Sequence, residues 1–138
     1  MPELTITIPG PLWFTSNNLR GSHHIWAPKI RGLRALGKSE AIAANLPRFD
    51  VVALAVFVGY PTAGRADPPN VAGTVSKALI DGFVDAGVIP DDDSRHIVAT
   101  TFLREKRKAP KGTHTMRFVF TDQVIPWLEP TTETETAA

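Results

Sequence analysis

The stretch FDVVALAVFV, residues 49–58, is the most hydrophobic part of the chain and constrains how the rest can fold. Valine and phenylalanine are enriched in strands, and a short continuous apolar run is typical of a strand that is covered on both faces. Strands of that kind lie in the interior of a sheet with helices packed against it. We therefore predict a central strand at residues 49–58.

The segments before the central strand predict one more strand and one helix. Leu4, Ile6 and Ile8 alternate with threonine residues, and this period of two indicates a half-buried strand. Pro28 is suited to the first turn of a helix. Apolar residues then recur at helical spacing as far as Leu46, so a helix is predicted between Pro28 and Leu46.

The segments after the central strand predict a second helix and two more strands. The helix is predicted over residues 71–86, with Asn70 as its N-cap and Gly87 as its C-cap. Residues 97–103 and 116–120 are predicted to pair as a hairpin with a basic connection. The predicted order is βαβαββ, which makes an α/β (α+β) domain with a mixed sheet of about four strands and two main helices.

Length and composition limit what the chain can be. A chain of 138 residues is expected to form one domain, which we place at residues 1–130, followed by a flexible tail, TTETETAA, at residues 131–138. The absence of cysteine excludes disulfide bonds, thiolate metal sites and a thiol nucleophile. A cytoplasmic protein is expected, because a chain without cysteine fits that setting. No apolar segment is long enough to span a membrane. The net charge of +1 indicates nothing about partners.

The predicted second helix has one apolar face and one polar face. The residues expected to face the core are Val75, Leu79, Phe83 and Ala86. The polar stripe on the opposite side consists of Asn70, Thr74, Lys77 and Asp81. Lys77 and Asp81 are therefore predicted to be neighbours, one helical turn apart, on the solvent side of the helix.

Carboxylates lie at both ends of this helix as well as within it. Asp67 precedes the helix, and the acidic triple Asp91, Asp92 and Asp93 follows it. Carboxylates from different elements can hold Mg²⁺, and a lysine beside them can offset charge that develops on a phosphate. The pattern therefore fits phosphodiester hydrolysis. It also fits a solvated helix face followed by an acidic turn, and spacing alone does not separate the two interpretations.

Residues 65–98, RADPPNVAGTVSKALIDGFVDAGVIPDDDSRHIV, resemble the core motif of the RusA family of Holliday junction resolvases, especially the RusA-like proteins of actinobacterial phages. The family pattern is a cluster of aspartate and asparagine, a lysine, an aspartate four residues later, a glycine and a pair of aspartates. The matching residues are Asp67, Asn70, Lys77, Asp81, Gly87, Asp91 and Asp92. The N-terminal segment LTITIPGPLWFTSNNLR is also similar to the phage branch.

The resemblance implies a Mg²⁺-dependent endodeoxyribonuclease that cleaves branched DNA, such as Holliday junctions, during recombination and repair. It implies a homodimer as well. The catalytic residues that the resemblance implies are Asp67, Lys77, Asp81, Asp91 and Asp92. The metal ligands that it implies are Asp67, Asp81 and Asp92, and ligands of one ion should lie close together.

The sequence departs from the family pattern at Pro69, which stands where the best-known members carry a second aspartate. The segment between Asn70 and Lys77 is also longer than in those enzymes. The alternative function is therefore a junction-binding protein with a weakened site, which holds branched DNA without cutting it. A third function, metal-dependent hydrolysis of a small nucleotide, would leave the basic segments of the chain without a role.

Two basic segments are candidates for contact with DNA. Residues 104–111 contain five basic residues and one acidic residue, a net charge of +4, and a loop of this charge can follow phosphates. A solvated turn that protects a sheet edge is the alternative. The predicted first helix carries further basic residues near Trp26. The residues predicted to bind DNA are Arg31, Arg34, Asn70, Arg104, Lys106, Arg107, Lys108 and Lys111.

Overall fold

A computed structural model describes residues 1–20 and 23–123 of the chain, so the predicted tail at 131–138 and the last residues of the predicted domain lie outside the described residues. The four strands of the sheet are β1 (Glu3–Pro9), β2 (Val52–Gly59), β3 (Ile97–Arg104) and β4 (Thr113–Asp122). The helices that cover the sheet are α1 (His23–Ala43) and α2 (Lys77–Asp85). The predicted α+β class is confirmed. Among the described residues, no helix is both long and apolar enough to cross a membrane.

The order of the strands differs from the predicted hairpin. The sheet runs β1-β4-β2-β3, so β2 separates β3 from β4, and the prediction that β3 and β4 pair was wrong. β3 is parallel to β2, and α2 belongs to the crossover that a parallel pair requires. β4 then pairs antiparallel with both β1 and β2. A local pattern of apolar residues carries no information about which strand becomes a neighbour.

The central strand is in the interior of the sheet, as predicted, but only one of its faces is fully buried. Val52, Leu54, Val56 and Val58 are 0–2% exposed, whereas the residues that alternate with them are half-buried. The core lies between this face of the sheet and the two helices. Within it, the ring of Phe83 packs edge-on against Phe118 with centroids 4.9 Å apart.

The two helices begin elsewhere than predicted. α1 already includes His23, so Pro28 lies inside the helix and not in its first turn. α2 begins at Lys77, because a 3-10 turn (Pro68–Val71) and a π-helical segment (Ala72–Ser76) precede it. Asn70 is therefore not an N-cap. The predicted C-terminal end is confirmed, since Gly87 has a positive φ of 82° and its N–H donates to the carbonyl of Val84.

α1 and α2 pack closely enough that glycine is needed where their backbones meet. A Cβ atom on Gly37 would lie 2.5 Å from the carbonyl oxygen of Leu79, and one on Gly82 would overlap the carbonyl oxygen of Arg34. The pair is also joined at the surface, where Arg34 donates to both carboxylate oxygens of Asp85 at 2.6 and 2.8 Å. The position of α2 over the sheet is thus set by backbone contact with α1.

Candidate functional site

Lys77 is the centre of a small charged cluster at the start of α2. Its ammonium group donates to Asp81 Oδ1 at 2.8 Å and also to Asp92 Oδ2. Asp81 is on the next turn of the same helix, whereas Asp92 belongs to the loop that leads from α2 towards β3. The loop thereby returns to the helix, and two carboxylates that are distant in sequence converge on one nitrogen. The predicted proximity of Lys77 and Asp81 is confirmed.

The contact between Lys77 and Asp92 favours the charged form of both groups. Hydrogen bonds to Asp81 and then to Asp92 raise the pKa of Lys77, so it is a cation at neutral pH. The hydrogen bond from Lys77 lowers the pKa of Asp92, so this carboxylate is an anion. An ammonium group has three N–H donors, and two of them serve the carboxylates, which leaves one for another acceptor. Two carboxylates and one ammonium give the cluster a formal net charge of −1.

Lys77 and Asp92 line a cavity of about 240 Å³ between α2 and β3. Ser76, Thr100 and Phe102 contribute to its wall. The Ser76 hydroxyl is buried and has no hydrogen-bond partner among the described residues. β3 is an edge strand, because it pairs with β2 only, so the cavity opens beside the free edge of the sheet. The Lys77 side chain is 52% exposed, so the charged cluster is accessible from solvent.

The π-helical segment changes which residues share the polar stripe. Thr74 was predicted to be on this stripe, but it is 1% exposed and its hydroxyl donates to the carbonyl of Phe14 at 2.9 Å. A π turn contains more residues than an α turn, so it rotates the preceding residues relative to those of α2. The core-facing prediction is confirmed for Val75, Leu79 and Phe83, which are 0% exposed.

The other predicted acidic residues have different surroundings. Asp91 is exposed, and its Oδ1 accepts the N–H of Asp92 at 2.8 Å, which orients the loop. Asp67 is exposed and precedes the 3-10 turn that packs against β3. Asp67 acts on the hydroxyl of Tyr60, both through its charge and through a backbone hydrogen bond. Asn70, half-buried, lies in the same 3-10 turn.

The residues that the resemblance implies as Mg²⁺ ligands fit the ion only in part. Residues 1–20 and 23–123 contain no group of three or more His, Cys, Asp or Glu side chains that could hold a metal ion, so Asp67, Asp81 and Asp92 do not form one cluster. The two carboxylates that do converge, those of Asp81 and Asp92, are ligands of the type that Mg²⁺ prefers. Mg²⁺ prefers oxygen ligands, is commonly bound by one or two carboxylates, and completes its shell with water and phosphate.

The predicted basic segment lies at the far end of β3 from the charged cluster. Lys106, Arg107 and Lys108 are exposed, and together with Tyr60 they line a second cavity of about 360 Å³. Lys111 is exposed in the turn before β4. The single acidic residue of the segment, Glu105, is paired with Arg117 at 2.8 Å.

Two of the arginines predicted to bind DNA have partners within the protein. Arg104 donates to the carbonyls of Gly64 and Thr62 at 2.7 and 3.1 Å, so it holds the loop after β2 in place. Its guanidinium also lies 5.4 Å from the centre of the Tyr60 ring. Arg34 pairs with Asp85, which raises its pKa. Arg31 is exposed on α1. Arg104 and Arg34, both predicted to bind DNA, therefore already bind groups within the protein.

An aromatic cluster beside this cavity was not anticipated from the sequence. Trp13 stacks on His114 with ring centroids 3.8 Å apart, and Tyr60 contacts both rings edge-on. One signal could have pointed to Tyr60. It directly follows β2, and in sheets with parallel strands ligands bind beyond the carboxyl ends of those strands. That rule was not applicable before β2 and β3 were known to be parallel.

His114 makes the stability of this cluster depend on pH. Burial lowers the pKa of His114 below its ordinary value of 6.5, and its Nδ1 has no hydrogen-bond partner among the described residues. The fold therefore favours the neutral ring. The stabilisation is complete above pH 6.5, and we expect it to be lost as the pH falls below that value.

Melting temperatures from pH 8 to 5 should fall less steeply for His114→Phe than for the wild type, because the variant has no ring to protonate at this position. Parallel profiles of the two proteins would contradict this.

Comparison with known proteins does not show a family for this chain. No family model matches it. It is 38% identical over an alignment of 72 residues to tRNA pseudouridine synthase 1 of Saccharomyces cerevisiae, and the match covers 49% of the chain. The matched part is 13% of that enzyme, so the chain spans only a small share of this relative's length. A match of that extent transfers neither the fold nor the activity of the whole enzyme.

Proposed function

We propose that the protein is a Mg²⁺-dependent endonuclease that cleaves branched DNA, such as a four-way junction, by phosphodiester hydrolysis. The observation that carries this proposal is the convergence of Asp81 and Asp92 on the Lys77 ammonium in a cavity beside the free edge of β3. The resemblance of residues 65–98 to the RusA family supports it, because Lys77, Asp81 and Asp92 are all residues of the matched motif.

The charges of the cluster indicate how a phosphate would be bound. A net charge of −1 repels a phosphodiester, so the substrate requires a further cation at this place. Asp81 and Asp92 would hold that cation, and the third N–H of Lys77 would donate to an oxygen of the scissile phosphate. When bound, Mg²⁺ supplies polarisation of the phosphoryl oxygen and a water of lowered pKa. Asp91 orients the loop that carries Asp92.

The exposed basic residues Lys106, Arg107 and Lys108 would contact the DNA backbone at the other end of β3 from the cleavage site, and Lys111 and Arg31 are further exposed basic residues that would contact it. A four-way junction offers two symmetric strands, and two symmetric nicks require two active sites. We therefore also propose that the protein acts as a homodimer, in the cytoplasm of a bacterial or phage-infected cell. A dimer with a two-fold axis contains two identical copies of the site, one in each subunit.

The direct test is a synthetic four-way junction incubated with and without Mg²⁺. We expect cleavage by the wild type only when the ion is present. Asp92→Asn should abolish cleavage but keep or tighten binding of the junction, because one negative charge near the phosphate is removed. Asp93→Asn is the matched control, since the Asp93 carboxylate accepts the N–H of Arg95 and does not contact Lys77. Cleavage by Asp92→Asn at the wild-type rate would contradict the assignment.

The alternative function, junction binding without cleavage, has one observation in its favour. The described residues contain no three-carboxylate cluster, and Pro69 occupies the position of the expected second aspartate. The same experiment separates the two functions. Tight binding of the junction without any nick, with Mg²⁺ or Mn²⁺, would support the binding protein over the endonuclease.

A further inference from the structure

We propose that the cavity beside Tyr60 binds one unpaired nucleotide of the DNA, with its base against the aromatic ring and its phosphate on the basic residues of the rim. The proposal rests on the proposed function and names the part of the substrate that this second site takes. It concerns a site separate from the Lys77 cluster, because the two cavities have no lining residue in common.

The cavity has one apolar wall and one basic wall, which correspond to the base and the phosphate of a nucleotide. One wall is Tyr60 with Thr62 and Ala63 of the loop after β2, and the other is the segment from Arg104 to Lys108. Arg104 joins the two walls, since it donates to Thr62 and Gly64. The aromatic ring and the alanine offer an apolar surface to a base, and the lysines and Arg107 offer cations to a phosphate.

Tyr60 is held in place before any ligand binds. Its ring is half-buried, with Trp13 and His114 packed against it and the Arg104 guanidinium over it. Burial raises the pKa of its hydroxyl, and a backbone hydrogen bond with Asp67 acts on the same group. A ring that is already positioned loses little conformational entropy on stacking with a base. The backbone of Asp67 therefore helps to position the Tyr60 ring beside this cavity.

The concave shape of this site favours an unpaired nucleotide over a duplex as its ligand. A duplex presents phosphates on a broad convex surface, and exposed lysines on a flat loop suffice to bind it. A volume of about 360 Å³ is within the range of sites that enclose a small ligand. A base can enter such a cavity only when it is outside the stack, as at a branch point or an extruded position.

The distance between the two cavities fits one continuous strand. Thr100 of β3 lines the cavity of the Lys77 cluster, and Arg104 of the same strand lines the cavity of Tyr60. Four residues of a strand extend over about 13 Å. A DNA strand that follows the edge of β3 would therefore place the Tyr60 nucleotide within a few positions of the phosphate at Lys77.

The test measures binding of a fluorescent oligothymidylate and of a duplex of equal length, without Mg²⁺, by fluorescence anisotropy. We expect Tyr60→Ala to weaken binding of the single strand by about tenfold, the scale of one lost stacking contact, and to leave duplex binding unchanged. Tyr60→Phe is the matched control, because it keeps the ring, and should bind as the wild type does. Replacing Lys106, Arg107 and Lys108 by Ala should weaken binding of both DNAs and reduce the salt dependence.

A second measurement probes the wild type directly, so its first part does not depend on whether any variant folds. An oligonucleotide with one abasic position, moved stepwise along a junction arm, should bind the wild type about tenfold more weakly at one position, and Tyr60→Ala should lose nothing further there. Equal affinity at every abasic position, or equal single-strand binding by Tyr60→Ala and the wild type, would overturn the proposal. Nucleotide binding without cleavage in Mg²⁺ would instead overturn the endonuclease and leave this site standing.

Discussion

Lys77→Ala should lower the rate of junction cleavage by about a hundredfold or more, the scale of losing one preorganised electrostatic contact to a transition state. The reason is that Lys77 is the only cation held between Asp81 and Asp92 by the contacts described, and its third N–H is available to the phosphate. Single-turnover cleavage at saturating protein measures this rate without a contribution from binding.

Stability should change little in the same variant. The Lys77 side chain is 52% exposed, and ion pairs at such positions contribute about 0–1 kcal/mol. Lys38→Ala, an exposed lysine of α1, is the matched control and should cleave at the wild-type rate. An unchanged rate in Lys77→Ala, together with a slightly lower melting temperature, would assign Lys77 to the solvated surface and remove the main support for the endonuclease.

Gly37→Ala and Gly82→Ala should each destabilise the fold by about 1–3 kcal/mol, the usual cost of inserting atoms into a packed interior. Each new methyl group would meet a backbone carbonyl of the opposite helix, and a backbone atom cannot rotate away as a side chain does. The helices would have to separate, although alanine by itself favours a helix by about 1 kcal/mol over glycine. Chemical denaturation of each variant measures the loss.

Gly73→Ala provides a control with the opposite sign. An added Cβ at Gly73 meets nothing within 4 Å, and Gly73 lies in the π-helical segment before α2. Alanine there should stabilise the protein by about 0.4–1 kcal/mol, because it reduces the freedom of the unfolded chain. If all three variants were equally stable, close contact of the two helix backbones would not be what positions α2 and its charged residues.

In the Lys77 cluster, one contact could be predicted from the sequence and another could not. The spacing of Lys77 and Asp81 was sufficient to predict their contact, because residues four apart on a helix are neighbours whatever the rest of the fold is. The spacing did not indicate that Asp92 also reaches Lys77, since this contact depends on the course of the loop after Gly87. Nor did it show that Asp67 lies beside Tyr60, because their meeting depends on the loop after β2.

The sequence by itself determined the four strands and two main helices and their order along the chain, the apolar face of α2 and the end of that helix before Gly87. These follow from periodicity and from local backbone preferences, which act over a few residues. Only the tertiary structure decided the strand order, the burial of Thr74 and the position of Tyr60 between Trp13, His114 and the basic segment. Those features depend on contacts between residues that are far apart in the chain, where packing and chain closure, and not local preference, determine the energy.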